Sequence, residues 1–306
     1  MGAKKVVNRR RFLKALLGLA GALKIGGCSA LGYGYYSMKM APERDGKLFF
    51  DMHAHIPNYA PQDELLEVLS THGITGLASW RREKTILTYE QALNMPGVKE
   101  IDKGYLAEVV YKGNKGYIFK VQEVRSKFHI LALGCPKEID ESLETIRVLE
   151  EVYRQGRLPV IAHPYVNANV WNKPFVQKED YRMLSHIYQM VEQLGGEVEV
   201  FNGICIDIML GFNRAKANEL GKNSISGFPN IKGTAASDTH RRLEQVKTNG
   251  IYLPADSLSL EAITFYIGTG QYEIYEQSIA RVSAVAGFVE GRIKGTSPLA
   301  DIVAKP

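Results

Sequence analysis

The sequence predicts an α/β domain of a length suited to one barrel, preceded by a targeting segment. Three observations carry this. From Lys47 onward, short apolar runs alternate with amphipathic helical patterns over roughly 250 residues. Glycines fall where those helices would end. The first 27 of the 306 residues differ chemically from the rest.

Taken in order, the first strand is expected over 48–53, ending in Asp51-Met52-His53-Ala54-His55, and a helix over 62–72 stops at Gly73. A second strand spans 74–79. Residues 105–111 and 117–124 flank Lys112-Gly113-Asn114-Lys115-Gly116 and predict a hairpin inserted in the alternation. A strand over 129–133 precedes a helix over 138–155, which stops at Gly156. A strand over 159–163 is followed by a helix over 178–194 and Gly195. Then come a strand at 197–201, a helix at 206–220 with Gly221, strands at 232–237 and 250–253, and a helix at 258–268. The expected division is a signal segment 1–27, a linker 28–46, a barrel 47–290 and a tail 291–306.

Seven of the 38 Lys and Arg lie in residues 1–27, which hold no acid, so the remainder carries 31 basic against 33 acidic residues. The formal net charge of +5 is therefore a property of the leader, and nucleic acid is not an expected partner of the domain. Arg9-Arg10-Arg11-Phe12-Leu13-Lys14 resembles a twin-arginine export motif, and the apolar stretch 15–25 is shorter than the ~20 residues of a spanning helix. Ile25-Gly26-Gly27-Cys28 resembles a lipobox, which implies a lipid on Cys28, export, and a membrane-anchored or extracytoplasmic protein. An ordinary basic, uncleaved N-terminus is the alternative. Cys135 and Cys205 sit in apolar settings and are expected to be buried free thiols.

Side chains at i and i+2 of a strand point the same way, so His53 and His55 can grip one ion. Further ligand types end other predicted strands: Glu123, His163, and Asp238 with His240, while His129 opens one. Five of the seven histidines thus lie at strand edges, where parallel barrels keep their chemistry. His72 and His186 fall on helices and are expected to be cap or surface residues. Glu199 and Asp51 could support the ligands from behind.

At these residues the chain resembles the PHP (polymerase and histidinol phosphatase) superfamily of metal-dependent phosphoesterases. The matching motifs are Asp51-Met52-His53-Ala54-His55, Val121-Gln122-Glu123 with Phe128-His129-Ile130, Ala162-His163-Pro164, Glu199-Val200-Phe201-Asn202-Gly203 and Ser237-Asp238-Thr239-His240, spread over about 47–275. The resemblance implies a distorted TIM-like (β/α)7 barrel. It also implies His53, His55, Glu123 and Asp238 around one ion, bridging Glu123 with His129 and His163 around a second, and His240 at a third. Third-ion elements are missing: the chain reads Ile56-Pro57-Asn58 after His55 and Trp80-Arg81-Arg82 after the second strand. A dinuclear site is expected instead, with Zn, Mn or Fe suiting its mixed ligands. Arg81 or Arg82 would then bind the phosphate of a small substrate, unless both are solvated loop residues. His240, if free of metal, would protonate the leaving group beside Asp238. The rival readings are an amidohydrolase-like enzyme cleaving C–N or C–O bonds and a lipoprotein that binds metal or ligand without turnover.

Overall fold

The computed structural model describes residues 40–165, 178–203, 207–208, 212–213, 215–240 and 243–277. The signal segment, Cys28, Cys205 and the tail lie outside them. The apolar run after Lys47 forms β1 (Lys47–His55), which continues two residues past the expected end, so both histidines belong to the strand. Then come α1 (Gln62–Leu69), β2 (Ile74–Ser79), α2 (Tyr89–Ala92), β3 (Val98–Asp102), β4 (Leu106–Tyr111) and β5 (Asn114–Val124). The chain continues with β6 (Ile130–Leu133), α3 (Thr145–Arg154), β7 (Leu158–Ile161), α4 (Lys178–Gln193) and β8 (Glu197–Asn202). Two short strands, β9 (Asp207–Ile208) and β10 (Phe212–Asn213), precede α5 (Ala215–Ser224), β11 (Thr234–Ala236) and β12 (Thr239–His240). Last are β13 (Gly250–Pro254), α6 (Leu260–Gly268) and β14 (Glu273–Tyr275).

The main sheet runs β11-β8-β7-β6-β5-β2-β1 and continues to β13 and β14. It is a nearly closed, barrel-like sheet in a mixed α/β fold. From β11 to β1 neighbours are parallel except at β6, which is antiparallel to both β5 and β7, while β13 pairs antiparallel with β1 and with β14. A regular (β/α)7 repeat is therefore not what the chain follows: no helix joins β5 to β6, and β3 and β4 form an antiparallel extension on β5. Reversal of β6 brings its start to the rim where β5 and β7 end, since Ile130 pairs with Val124 and with Ile161. His129 opens a strand and yet joins residues that close theirs for this reason.

The free edge of β1 is covered in three ways. Its first half pairs antiparallel with β13, and Ala54 and His55 pair with Thr239 and His240 of β12. Between them Asp51 does by side chain what a ladder would do by backbone. Its carboxylate accepts from Ser237 N–H (3.0 Å), Ser237 Oγ (2.6 Å) and Lys247 N–H (2.9 Å), while Asp238 N–H donates to His53 O (2.8 Å). Burial pushes the Asp51 carboxyl up to about 6, and the three donors work against that. Asp51 thus ties the first strand to Ser237, just after β11, and to Lys247.

β1 carries a bulge: Asp51 faces Thr75 and Ala54 faces Leu77, three steps against two. Gly76 lies opposite, where a Cβ would sit 2.5 Å from Met52 O, so glycine is what lets β2 approach the strand that presents His53. Interior apolar residues fill the barrel, including Phe50, Met52, Phe119, Leu131, Val160 and Ile251. A second layer packs α3 and α4 through Val148, Leu149, Val152, Leu184, Ile187 and Val191.

Three expected helices shift. The first stops at Leu69, short of His72. The one expected from 138 starts at Thr145, because Gln122 on β5 pairs with both the N–H and the C=O of Ile139 at 2.8 Å and holds that stretch extended. The one expected at 206–220 lies at Ala215–Ser224, after the β9–β10 pair. The predicted hairpin is present, with Tyr111 paired to Asn114. Cys135 is a buried free thiol.

Candidate metal centre

The rim formed by the ends of β1, β5, β7 and the β11–β12 junction gathers the ligand-type residues. His53 and His55 leave β1 on one face, with their Nε2 atoms 3.0 Å apart. Each has its other nitrogen committed. His53 Nδ1 donates to Glu199 Oε2 at 3.0 Å, and His55 Nδ1 donates to Ala78 O at 2.6 Å, since those oxygens can only accept. Both Nε2 atoms therefore face inward, with Asp238 Oδ1 at 3.4 Å from His53 and 3.6 Å from His55. Asp238 Oδ1 is buried without a hydrogen-bond partner, while Asn202 Nδ2 holds the other oxygen at 2.9 Å and also donates to Glu199 at 2.7 Å.

Glu123, at the end of β5, turns its two oxygens to different sides. Oε2 is 3.1 Å from His55 Nε2 and 3.7 Å from His53 Nε2, and it accepts the Trp80 indole N–H. Oε1 accepts from His129 Nδ1 at 2.6 Å and lies 3.4 Å from His163 Nε2. His163 and Asp238 are two of the four described non-glycine residues with positive φ, at +30° and +47°, a conformation unusual for residues with a Cβ.

Two groups converge closely enough to hold an ion: His53, His55 and Asp238, and His53, Glu123 and His163. They share His53, whose single inward nitrogen can serve one ion only. His129 and His240 flank them. His240 Nδ1 donates to Asp238 O at 3.0 Å and lies 3.3 Å from Asp238 Oδ1.

The electrostatics call for a cation. Burial alone would lower the His53 imidazole, but Asp238, Glu199 and Glu123 carry it well above its ordinary value. Burial would raise Asp238, yet the imidazoles of His53, His240 and His163 hold it down to about 2. Glu123 is likewise held well below the carboxylate range against its burial, by His129, His163 and His53. Two buried carboxylates and two facing imidazole nitrogens need positive charge between them, and one proton or a divalent metal ion supplies it. The donor set of imidazole Nε2 and carboxylate oxygen, with outer nitrogens fixed by Glu199 and Ala78, fits a transition-metal ion.

The expectation that His240 donates a proton meets an obstacle. Burial, with His55 nearby, pushes its imidazole down to about 4, so near neutral pH it is uncharged. Its one N–H is committed to Asp238 O, leaving Nε2 as an acceptor or ligand. The arginines also fall elsewhere. Arg81 is exposed and turned to the loop after β6, with NH1 3.1 Å from Asp140 and Nε 3.7 Å from Glu138, and Arg82 is exposed. The Arg81 guanidinium is thus engaged by acids of that loop. His72 lies past the end of its helix, half-buried, and donates to Ala41 O at 2.7 Å, while His186 is exposed as expected.

Sequence reading missed Trp80, Asn202 as a link between carboxylates, and Arg125. The Trp80 ring lies 4.3 Å from that of His55 and 5.5 Å from that of His240, and the Arg125 guanidinium stands 4.7 Å over it. Arg125 lies just past the end of β5, where strand alternation no longer assigns its face.

A mixed α/β protein with a nearly closed sheet and His, Asp and Glu side chains clustered for divalent metal binding at one rim is the class these features define. No protein-family model matches the sequence, and no curated protein does. Among solved structures it is similar to a two-domain protein from Bacteroides vulgatus containing a predicted PHP-like metal-dependent phosphoesterase. The identity is 15% and the TM-score 0.45, covering 78% of this chain and 68% of that one. A likeness of that degree says nothing of what this chain binds or acts on.

Proposed function

We propose that this protein is a metal-dependent hydrolase of phosphoesters with a dinuclear site in a distorted barrel of the PHP type. The observation that carries this is Glu123, whose two oxygens face two separate sets of imidazoles. His53, His55 and Asp238 would complete the first position, and His129 and His163 the second, so that His53 serves one ion. Bound divalent ions, Zn, Mn or Fe, supply Lewis-acid polarisation of the phosphoryl group and lower the pKa of water. Glu199 and Ala78 fix the tautomers of His53 and His55 and keep Nε2 presented. Asp238 and Glu123 contribute the charge that retains the ions. His240, neutral and with Nε2 outward from its N–H, serves as an acceptor or an additional ligand in this scheme.

The amidohydrolase-like alternative commonly needs a bridging modified lysine. Lys247 is the buried lysine among the described residues, and its Nζ goes to Thr71 O (2.6 Å) and Leu69 O (3.5 Å), behind α1 and not into the site. That favours the carboxylate-bridged phosphoesterase. The substrate we propose is a small phosphorylated molecule and not nucleic acid, for a protein exported by the twin-arginine route and held at the membrane by lipid on Cys28. Among the described residues no helix is long and apolar enough to cross a membrane.

The test is metal analysis of the purified chain together with phosphate release from a panel of phosphomonoesters and phosphodiesters in Mn or Zn. Two ions per chain and release that disappears in His53→Ala are expected. Metal binding without turnover on any ester would overturn the hydrolase and leave a binding protein.

A further inference from the structure

Resting on the dinuclear reading above, we infer that Trp80 is a positioning residue of the metal centre: its indole N–H holds the Glu123 carboxylate across the two sets of imidazoles, and so governs whether both ion positions fill. Strand pairing brings the two residues together. β2 and β5 run parallel with Ala78 opposite Val121 and Ser79 opposite Gln122, so the next step places Trp80 beside Glu123. Gln122 is spent on Ile139, and Glu123, one residue on, turns to the rim.

A carboxylate that serves two ions must keep its plane fixed, because a turn about its last bond moves both oxygens off their imidazoles. Oε1 is tied by His129 Nδ1 at 2.6 Å and stands 3.4 Å from His163 Nε2. Oε2 accepts the Trp80 indole N–H and faces His55 Nε2 at 3.1 Å and His53 Nε2 at 3.7 Å. A carboxylate oxygen has two lone-pair directions, so the indole and an ion can share Oε2, and an indole N–H, which only donates, cannot itself become a ligand. When an ion takes the place of the proton on His53, the indole stays on Oε2 as its donor, in a bond that the charge of the acceptor strengthens. Trp80 is itself held. Its ring lies 4.3 Å from that of His55 and 5.5 Å from that of His240, with the Arg125 guanidinium 4.7 Å over it. His55 gives its Nδ1–H to Ala78 O, two residues before Trp80, so one strand sets both the imidazole and the indole.

The two ion positions then depend on Trp80 unequally. Oε1, His129 and His163 form one whose carboxylate oxygen has a tie of its own. Oε2, His53, His55 and Asp238 form the other, where the indole sets the approach of the oxygen. Loss of the N–H should leave the first position and weaken the second.

The experiment titrates zinc into the purified, chelator-treated full chain in competition with a chromogenic chelator, and counts bound ions by equilibrium dialysis. Wild type should take two ions. Trp80→Phe, which keeps a ring beside His55 and removes the N–H, should weaken one of them by about 10–100-fold and leave the other nearly unchanged. A chain carrying at position 80 the tryptophan analogue with sulfur in place of the indole N–H should do the same, since it keeps the size and packing of the ring and loses only the hydrogen bond. That variant also serves if Trp80→Phe fails to fold. Both ions bound within about twofold of wild type by the sulfur analogue would overturn the inference and make Trp80 a packing residue. If wild type takes a single ion, it is the dinuclear reading that fails, and whether the analogue weakens that ion still decides the role of Trp80. A wild type that takes no ion overturns both.

Discussion

Replacing Glu199 by Gln isolates one contact behind the candidate metal centre. Glu199 does not face the converging Nε2 atoms; it accepts the Nδ1–H of His53 at 3.0 Å and the Asn202 amide at 2.7 Å. A hydrogen bond to a charged acceptor is worth about 1.5–3 kcal/mol and a neutral one about 0.5–1.5. The substitution therefore removes about 1–2 kcal/mol of support for His53 as a ligand, or about 5–30-fold in metal affinity. A second effect follows from the amide itself. If its oxygen serves His53, its NH2 faces the Asn202 NH2, and Asn202 cannot turn over because the same NH2 holds Asp238 at 2.9 Å. One buried donor is left unpaired, at about 1–3 kcal/mol of folding stability. Competition with a chromogenic chelator gives the metal affinity, and urea melts of the chelator-treated protein give the stability. A metal affinity within twofold of wild type would refute the reasoning, and a loss of stability alone would make Glu199 a packing residue.

Further outcomes follow from the same geometry. Gly76→Ala places a methyl 2.5 Å from Met52 O; denaturant melts should show a loss of about 1–3 kcal/mol, with weaker metal uptake because Met52 precedes His53. Asp51→Ala strands the Ser237 and Lys247 donors in the seam and should cost about 2–5 kcal/mol; Asp51→Asn should cost less, because it removes a buried charge whose carboxyl already stands at about 6. Asp238, held down to about 2 in the folded protein, adds stability that is full above its unfolded pKa and is lost as pH falls through the folded one. Urea melts of chelator-treated protein from pH 5 to pH 2 should therefore show wild type losing about 2 kcal/mol more than Asp238→Asn. Metal binding near neutral pH should release a proton, since an ion replaces the one His53 holds, and calorimetry in buffers of different ionisation enthalpy reads it.

Much of this protein was written locally. Alternating apolar runs and helical patterns gave the mixed α/β class, because strand and helix periods are properties of neighbouring residues. His53 and His55 were readable as a pair for the same reason, since one strand sets their spacing. That Glu123, His163 and Asp238 would join them could be suspected from their places at strand ends, as all such ends meet at one rim. The direction of β6 was not legible, because a four-residue apolar strand reads the same both ways. Only its pairing with β5 and β7 fixed its direction, and that decided why His129 belongs to the rim although it opens its strand. Asp51 beside His53 read as a possible support for a ligand; the tertiary structure made it the tie to Ser237 and Lys247 instead, and gave the support of His53 to Glu199, 146 residues away. The places of the arginines after β2 and β5 were decided in the same way. Arg81 and Arg82 follow β2 in sequence, but the acids at Glu138 and Asp140 take Arg81, and the ring of Trp80 takes Arg125. The sequence by itself determined which residues could be ligands; which nitrogens and oxygens face one another was a matter of long-range packing, which no local pattern encodes.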